Sequence, residues 1–154
     1  MGQRINFHEK GQGAMKAMYG LGIYLAKSPV EQSLLRLIYF RVSQINGCAY
    51  CLDMHAKELR AADEAEQRLY VLNAWREAPL YSDRECAALA WAEAVTQITN
   101  GHVPDQVYED AVKQFSEQEL IDLTLAVTTI NSYNRLNIAF GIKGGSYQHT
   151  AQTK

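Results

Sequence analysis

The amino-acid sequence predicts an all-α fold, a single helical-bundle domain of about seven helices over residues 1–154, with its core at about 15–140 and a polar tail at 141–154. Three observations predict it. Apolar residues return every three or four positions through most of the chain, the repeat of helices that bury one face. Strand signals are sparse, and the one β-branched cluster, Val127-Thr128-Thr129-Ile130, falls inside a long helical repeat. The chain has 154 residues, 47% of them hydrophobic, which is the size of one domain with enough apolar side chains to fill a core.

The first helix is expected over 14–27, where Met15, Met18, Tyr19, Leu21, Ile23 and Leu25 make a mostly apolar surface and Gly20 and Gly22 weaken the helix or admit a close neighbour. Pro29, after Ser28, breaks it. A second helix, 31–45, carries Leu34, Leu35, Leu37, Ile38, Val42 and Ile45 at helical spacing. Asn46-Gly47 stops it, because both residues tolerate left-handed backbone, and the pair also suits the opening of the next helix. The third helix, 48–61, points Lys57, Glu58 and Arg60 outward. Asp63 is placed to cap a fourth, 64–77, which turns Leu69, Leu72 and Trp75 inward and is ended by Pro79. Ser82-x-x-Glu85 is a capping box before an Ala-rich helix, 83–99, closed by Asn100-Gly101. Pro104 suits the first turn of a short helix, 104–114. A second capping box, Ser116-x-x-Glu119, opens a long helix, 117–140. The tail after Gly144-Gly145 is polar and expected to be mobile.

A formal net charge of −2 gives no electrostatic reason to expect nucleic acid or an anionic membrane as partner. No apolar run is long enough for a membrane-spanning helix. The N-terminus has no basic stretch followed by an apolar one, so a cytoplasmic protein is expected. Three cysteines, an odd number, argue against a structural disulfide framework.

Two of them form the chemical feature of the chain, Cys48-Ala-Tyr-Cys51, with His55 one helical turn later. At roughly 100° per residue the three side chains share one helix face within about 60°. Cys51 and His55 are an i, i+4 pair, so the imidazole reaches the thiol and can take its proton or stabilise the thiolate. Cys48 lies near a helix N-terminus, whose unpaired N–H groups favour negative charge. The two sulfurs are close enough to join with modest adjustment. Other readings stay open on the residues alone. The cysteines suit a core as small hydrophobes. A zinc site would draw its fourth ligand from His102, Cys86 or His8, although no second ligand pair is present. A thioredoxin-like motif would need alternating strands.

The stretch from Phe40 to His55, Phe-Arg-Val-Ser-Gln-Ile-Asn-Gly-Cys-Ala-Tyr-Cys-Leu-Asp-Met-His, resembles the core motif of alkylhydroperoxidase D-like proteins, within the carboxymuconolactone decarboxylase superfamily. The resemblance runs from about 15 to 140 and takes in Ala74-Trp75-Arg76-Glu77, Gly101-His102-Val103-Pro104 and Asn134-Arg135-Leu136. It implies an all-α fold that assembles as homo-trimers or hexamers, and a cysteine-dependent peroxidase with no haem, metal, flavin or other cofactor. Carried over by position, Cys51 is the peroxidatic thiolate, Cys48 the resolving thiol and His55 the base. The substrate is a small-molecule hydroperoxide; an external dithiol, a lipoyl group or a thioredoxin-like protein, reduces the Cys48–Cys51 disulfide. The decarboxylase branch is a weaker match, since its chemistry does not use the cysteine pair. A general disulfide oxidoreductase, or a non-catalytic redox-responsive binding protein, is the alternative. Two positions depart from the pattern. The peroxidases carry Glu where this chain has Arg36, and often His where it has Tyr50. Glu31, Glu58 and Glu93 are the candidate substitutes for that Glu, and Arg36 or Arg41 the candidate partners of the thiolate.

Elsewhere the plainer readings are preferred. Cys86 reads as a buried small hydrophobe, His102 as a capping or packing residue, and Trp75 and Trp91 as core or interface. Asn131, Tyr133 and Asn134 read as buried hydrogen-bonding groups between helices rather than a pocket wall.

Overall fold

The computed structural model describes residues 2–149, and its regular structure is helical throughout. A single turn, α1 (Phe7–Lys10), precedes α2 (Gln12–Leu25), α3 (Gln32–Asn46), α4 (Ala49–Ala61), α5 (Glu66–Tyr70), α6 (Asp83–Thr96), α7 (Asp105–Gln114) and α8 (Glu117–Phe140), with 3₁₀ segments at Leu72–Glu77 and Ile98–Asn100. Among the described residues there is no strand, and no helix is long and apolar enough to cross a membrane.

Helix α3 lies at the centre and packs on α4, α6 and α8. It buries Leu34, Leu35, Leu37, Ile38, Phe40 and Val42 against Ala88, Leu89 and Ala92 of α6 and Leu123, Ala126, Val127 and Ile130 of α8. Each fully buried aliphatic side chain contributes roughly 1.5–3 kcal/mol, which makes this layer the main source of stability. The β-branched run of α8 is tolerated because Thr128 and Thr129 hydroxyls donate to the Leu125 carbonyl of their own helix. Both predicted capping boxes form, Ser82 with Glu85 and Ser116 with Glu119.

The structure corrects four expectations. The predicted helix 64–77 is divided into α5 and a 3₁₀ segment. Its inward residues, Leu69, Leu72 and Trp75, are spaced by three without the i+4 positions of an α-helical stripe, and a 3₁₀ helix aligns such residues on one face. Asp63 caps nothing ahead of it. At φ 61° it ends α4 in the left-handed region, where the Asp63 and Glu64 N–H groups reach back to the Arg60 and Leu59 carbonyls. Pro104 precedes its helix as the cap and is not its first residue. Finally, the polar stretch expected to be mobile lies on α4 as far as Tyr147: the Gly145 N–H donates to Asp53 (2.9 Å) and Lys57 to the Tyr147 carbonyl (2.8 Å). Residues 150–154 of that tail lie outside the described residues. At the other end, the Arg4 N–H bonds the Phe140 carbonyl and the Phe7 ring lies 5.7 Å from that of Phe140, so the N-terminal stretch packs on the C-terminus of α8.

Candidate active site

The site begins where α3 stops. Gly47 adopts φ 67°, a conformation costly for any residue with a Cβ, and turns the chain so that the Cys48 N–H caps the Ser43 carbonyl at 3.1 Å. Cys48 thereby becomes the N-cap of α4, its Sγ accepting the Cys51 N–H at 3.3 Å. The turn is pinned from α8. Asn46 Nδ2 donates to the side-chain oxygens of Asn131 (2.9 Å) and Asn134 (2.8 Å), and Asn134 Nδ2 donates to Ser43 Oγ (3.1 Å). Cys48 and Cys51 are joined as a disulfide, with Cα atoms 5.3 Å apart, and both are buried. One turn further on the same helix, Asn137 Nδ2 donates to Cys51 Sγ at 3.3 Å.

His55 follows one turn after Cys51 and is buried to 5% exposure. Its Nδ1 lies 2.9 Å from Glu58 Oε2, while its Nε2 is buried with no protein partner. A carboxylate accepts only, so Glu58 fixes the tautomer with the proton on Nδ1 and leaves Nε2 basic. Burial pushes the Glu58 carboxyl up, but hydrogen bonds from His55 and from the Tyr147 hydroxyl (3.2 Å), with the charges of His55 and Arg36, hold it below its ordinary value.

Cys51 and His55 open onto one cavity of about 290 Å³. Its walls are mostly aromatic and apolar, including Phe7, Tyr19, Tyr39, Met54, Ile130 and Tyr133; Tyr50, Thr129 and Asn137 also border it, and among the described residues no lysine or arginine does. Two polar atoms on this lining lack protein partners, His55 Nε2 and Asn137 Oδ1. Burial, then the charge of Glu58, raises the Tyr39 phenol to about 12, so it stays protonated. Cys51 lines the cavity and Cys48 does not.

The structure chooses among the candidates. Glu31 is paired with Arg84 (3.0 Å), and Glu93 is held by Arg41 (2.7 Å), Arg76 and Trp75 (2.9 Å), which also removes Arg41 from the thiol. Of the three glutamates, only Glu58 reaches His55. The charge of Arg36, on α3, is among the influences that hold the Glu58 carboxyl low. His102 lies in a separate pocket with Arg76 and Glu93, and Cys86 points at the Tyr81 carbonyl. The zinc reading therefore finds no fourth donor there, and among the described residues no three His, Cys, Asp or Glu side chains gather for a metal ion. His8 does line the cavity, 3.2 Å from the Tyr19 hydroxyl. Asn131 and Asn134 are the interhelical hydrogen-bonding groups expected; Tyr133 is a pocket wall instead. Asn137, Tyr39 and the N-terminal Phe7 are cavity residues that the sequence reading does not single out. Asn137 had a signal, since Asn131, Asn134 and Asn137 form a polar stripe at threefold spacing in an otherwise apolar helix.

The sequence profile described as "Carboxymuconolactone decarboxylase family" matches residues 12–94. The uncharacterized protein YdfG of Bacillus subtilis (strain 168) is 40% identical over 146 residues, which are 95% of this chain and 99% of that protein. The crystal structure of a protein of unknown function from Agrobacterium tumefaciens, with a proposed identity as the antioxidant defence protein AhpD, aligns with a TM-score of 0.90 at 37% identity, covering 94% of this chain and 99% of its own. The debrominase Bmp8 aligns with a TM-score of 0.79 at 20% identity over 90% of this chain and 74% of its own, a likeness of fold alone.

Proposed function

Because the chain belongs to the carboxymuconolactone decarboxylase family, as an alkylhydroperoxidase D-like member, we propose that it is a thiol-dependent hydroperoxide reductase working through Cys51, Cys48 and His55. The observation that carries the reading is the cysteine pair itself. The two sulfurs are within bonding distance, and the one next to the histidine is the one that faces the cavity. In the reduced enzyme His55 Nε2 takes the Cys51 proton, helped by the Asn137 amide and the first turn of α4, both of which favour a thiolate. The thiolate attacks the terminal oxygen of the hydroperoxide, the O–O bond breaks, and the imidazolium returns its proton to the departing alkoxide, which leaves as an alcohol. Cys51 is now a sulfenic acid; the Cys48 thiol displaces its hydroxyl as water and closes the disulfide. An external dithiol, lipoyl or on a thioredoxin-like protein, restores both thiols and is itself oxidised. No bound cofactor enters these steps.

The cavity supports a substrate with an apolar body. Its aromatic walls gain nothing from hydrogen peroxide and much from a ring or branched alkyl group, while the orphan atoms on His55 and Asn137 suit one small polar head. With no lysine or arginine on the wall, there is no fixed cation for a carboxylate substrate, which weighs against decarboxylation. The exposed apolar residues Tyr19, Ile23 and Tyr24 on α2 and Ile138 on α8 support self-association as a trimer or hexamer, and a thiol cycle of this kind suits the reducing cytoplasm. In the assay, reduced protein with cumene hydroperoxide and a dithiol consumes many equivalents of peroxide per chain, at a kcat/KM at least about tenfold above that for hydrogen peroxide. Consumption unchanged by Cys51→Ser overturns the reading. Reaction that stops at one equivalent per chain favours a redox-responsive binding protein.

A further inference from the structure

The polar segment after α8 does more than cover α4. It touches that helix turn after turn. Gly144 crosses the Ala49 carbonyl so closely that an added Cβ would sit 2.7 Å from its oxygen, and Gly145 takes φ 95°, so this glycine pair lets the backbone lie down. One turn on, Asp53 accepts the Gly145 N–H (2.9 Å); one more, Lys57, itself bridged to Asp53 (2.8 Å), donates to the Tyr147 carbonyl (2.8 Å). The last contact is the Tyr147 hydroxyl donating to Glu58 Oε1 (3.2 Å), while Oε2 faces His55 Nδ1 (2.9 Å). Glu58 sits on the outward face of α4, where a glutamate side chain ordinarily samples many rotamers in water. The segment roofs it, leaving it 29% exposed with a partner on each oxygen.

From this chain of contacts we infer that Tyr147 is a positioning residue, holding Glu58 so that His55 presents Nε2 to the Cys51 sulfur; this rests on the thiol chemistry proposed above. The relay thus spans α4 and the C-terminal segment: phenol, carboxylate, imidazole, thiol. Glu58 is faced by His55 and Tyr50 from its own helix, by Arg36 and Tyr39 from α3 and by Tyr147 from the segment. Of these, the Tyr147 hydroxyl and His55 are its hydrogen-bond donors. Loss of the hydroxyl makes the carboxylate protonate at higher pH, and a protonated Glu58 no longer fixes the imidazole proton on Nδ1.

The test is the rate at which iodoacetamide labels Cys51 across pH 5–9 in reduced, full-length protein, followed by peptide mass spectrometry. Tyr147→Phe moves the acid side of the profile to higher pH and slows labelling at its acid end by about threefold or more, the lower end of the net worth of one hydrogen bond. Gly144→Ala, which lifts the segment from Ala49, produces the same change. In a Glu58→Gln background Tyr147→Phe adds nothing, because the hydroxyl acts through the carboxylate. An unchanged profile in both variants, or effects of Tyr147→Phe and Glu58→Gln that simply add, overturns the inference. No peroxide enters the measurement, so a wild-type protein without turnover refutes the proposed activity and leaves this comparison decisive.

Discussion

A single amide reaches the sulfur proposed to attack. Asn137 Nδ2 points at Cys51 Sγ from the neighbouring helix in a buried setting, where a hydrogen bond to a charged acceptor is worth about 1.5–3 kcal/mol. Asn137→Leu keeps the shape and removes the donor. The midpoint of Cys51 alkylation against pH therefore rises by about one to two units; a midpoint that stays where it was in wild type contradicts the assignment of Asn137 to the thiolate. At this scale the sequence was readable wherever the chemistry is local. Cys48, Cys51 and His55 lie within two helical turns, so spacing alone puts them together. Glu58 was one candidate among three, since the arginines that occupy Glu31 and Glu93 come from elements about fifty residues away, beyond the reach of any local pattern. The carboxylate beside His55 comes from α4 itself, three residues on, and the charge of Arg36 helps to hold it low.

Elements place these residues through their ends. The left-handed Gly47 ends α3 and at the same time sets Cys48 as the cap of α4, so the redox pair depends on one backbone angle. Gly47→Ala meets no steric obstacle from neighbouring atoms and tests the angle alone. It costs about 1–2 kcal/mol and lowers Tm by about 2–8 °C. An unaltered Tm in calorimetry would mean that the turn is not left-handed. Such ends were legible because they carry chemical signatures: Asn46-Gly47 and both capping boxes formed where the sequence predicts them. The errors have the same origin. Asp63 has the chemistry of an N-cap but equally the tolerance for left-handed backbone, and the interrupted α-helical stripe at Leu69, Leu72 and Trp75 satisfies a 3₁₀ turn better.

Across the whole molecule, the helical bundle was legible from periodicity, with one of the seven expected helices divided, while the approach of the N-terminal stretch and of the segment after α8 to the site was not. Phe7 reaches the cavity and Tyr147 reaches Glu58 through polar or isolated segments with no repeat to read. The ion pairs that tie the bundle together predict its response to acid. Glu58, Glu85 and Glu93 are each pushed up by burial, but hydrogen bonds and cations outweigh this and hold them below the ordinary value; Glu119 is held low by its capping bonds and Arg84. A carboxyl whose folded pKa lies below its unfolded value, near 4.3, binds fewer protons folded than unfolded. Its contribution is complete above that value and is lost as pH falls through the folded pKa values. Melting temperature should therefore hold steady from neutral pH down to about 5 and fall steadily below about 4.3. A Tm that rises on acidification would contradict these pairings.

The claim on which the rest depends is that Cys51 is the attacking sulfur. In Cys48→Ser the sulfenic acid has no resolving thiol and persists long enough to be captured by dimedone after one equivalent of cumene hydroperoxide. The adduct is expected on Cys51 and not on Cys86, whose thiol is pushed up by burial and the nearby Asp83 and Glu85. An adduct on Cys86, or peroxide consumed with Cys51 unlabelled, would contradict that claim.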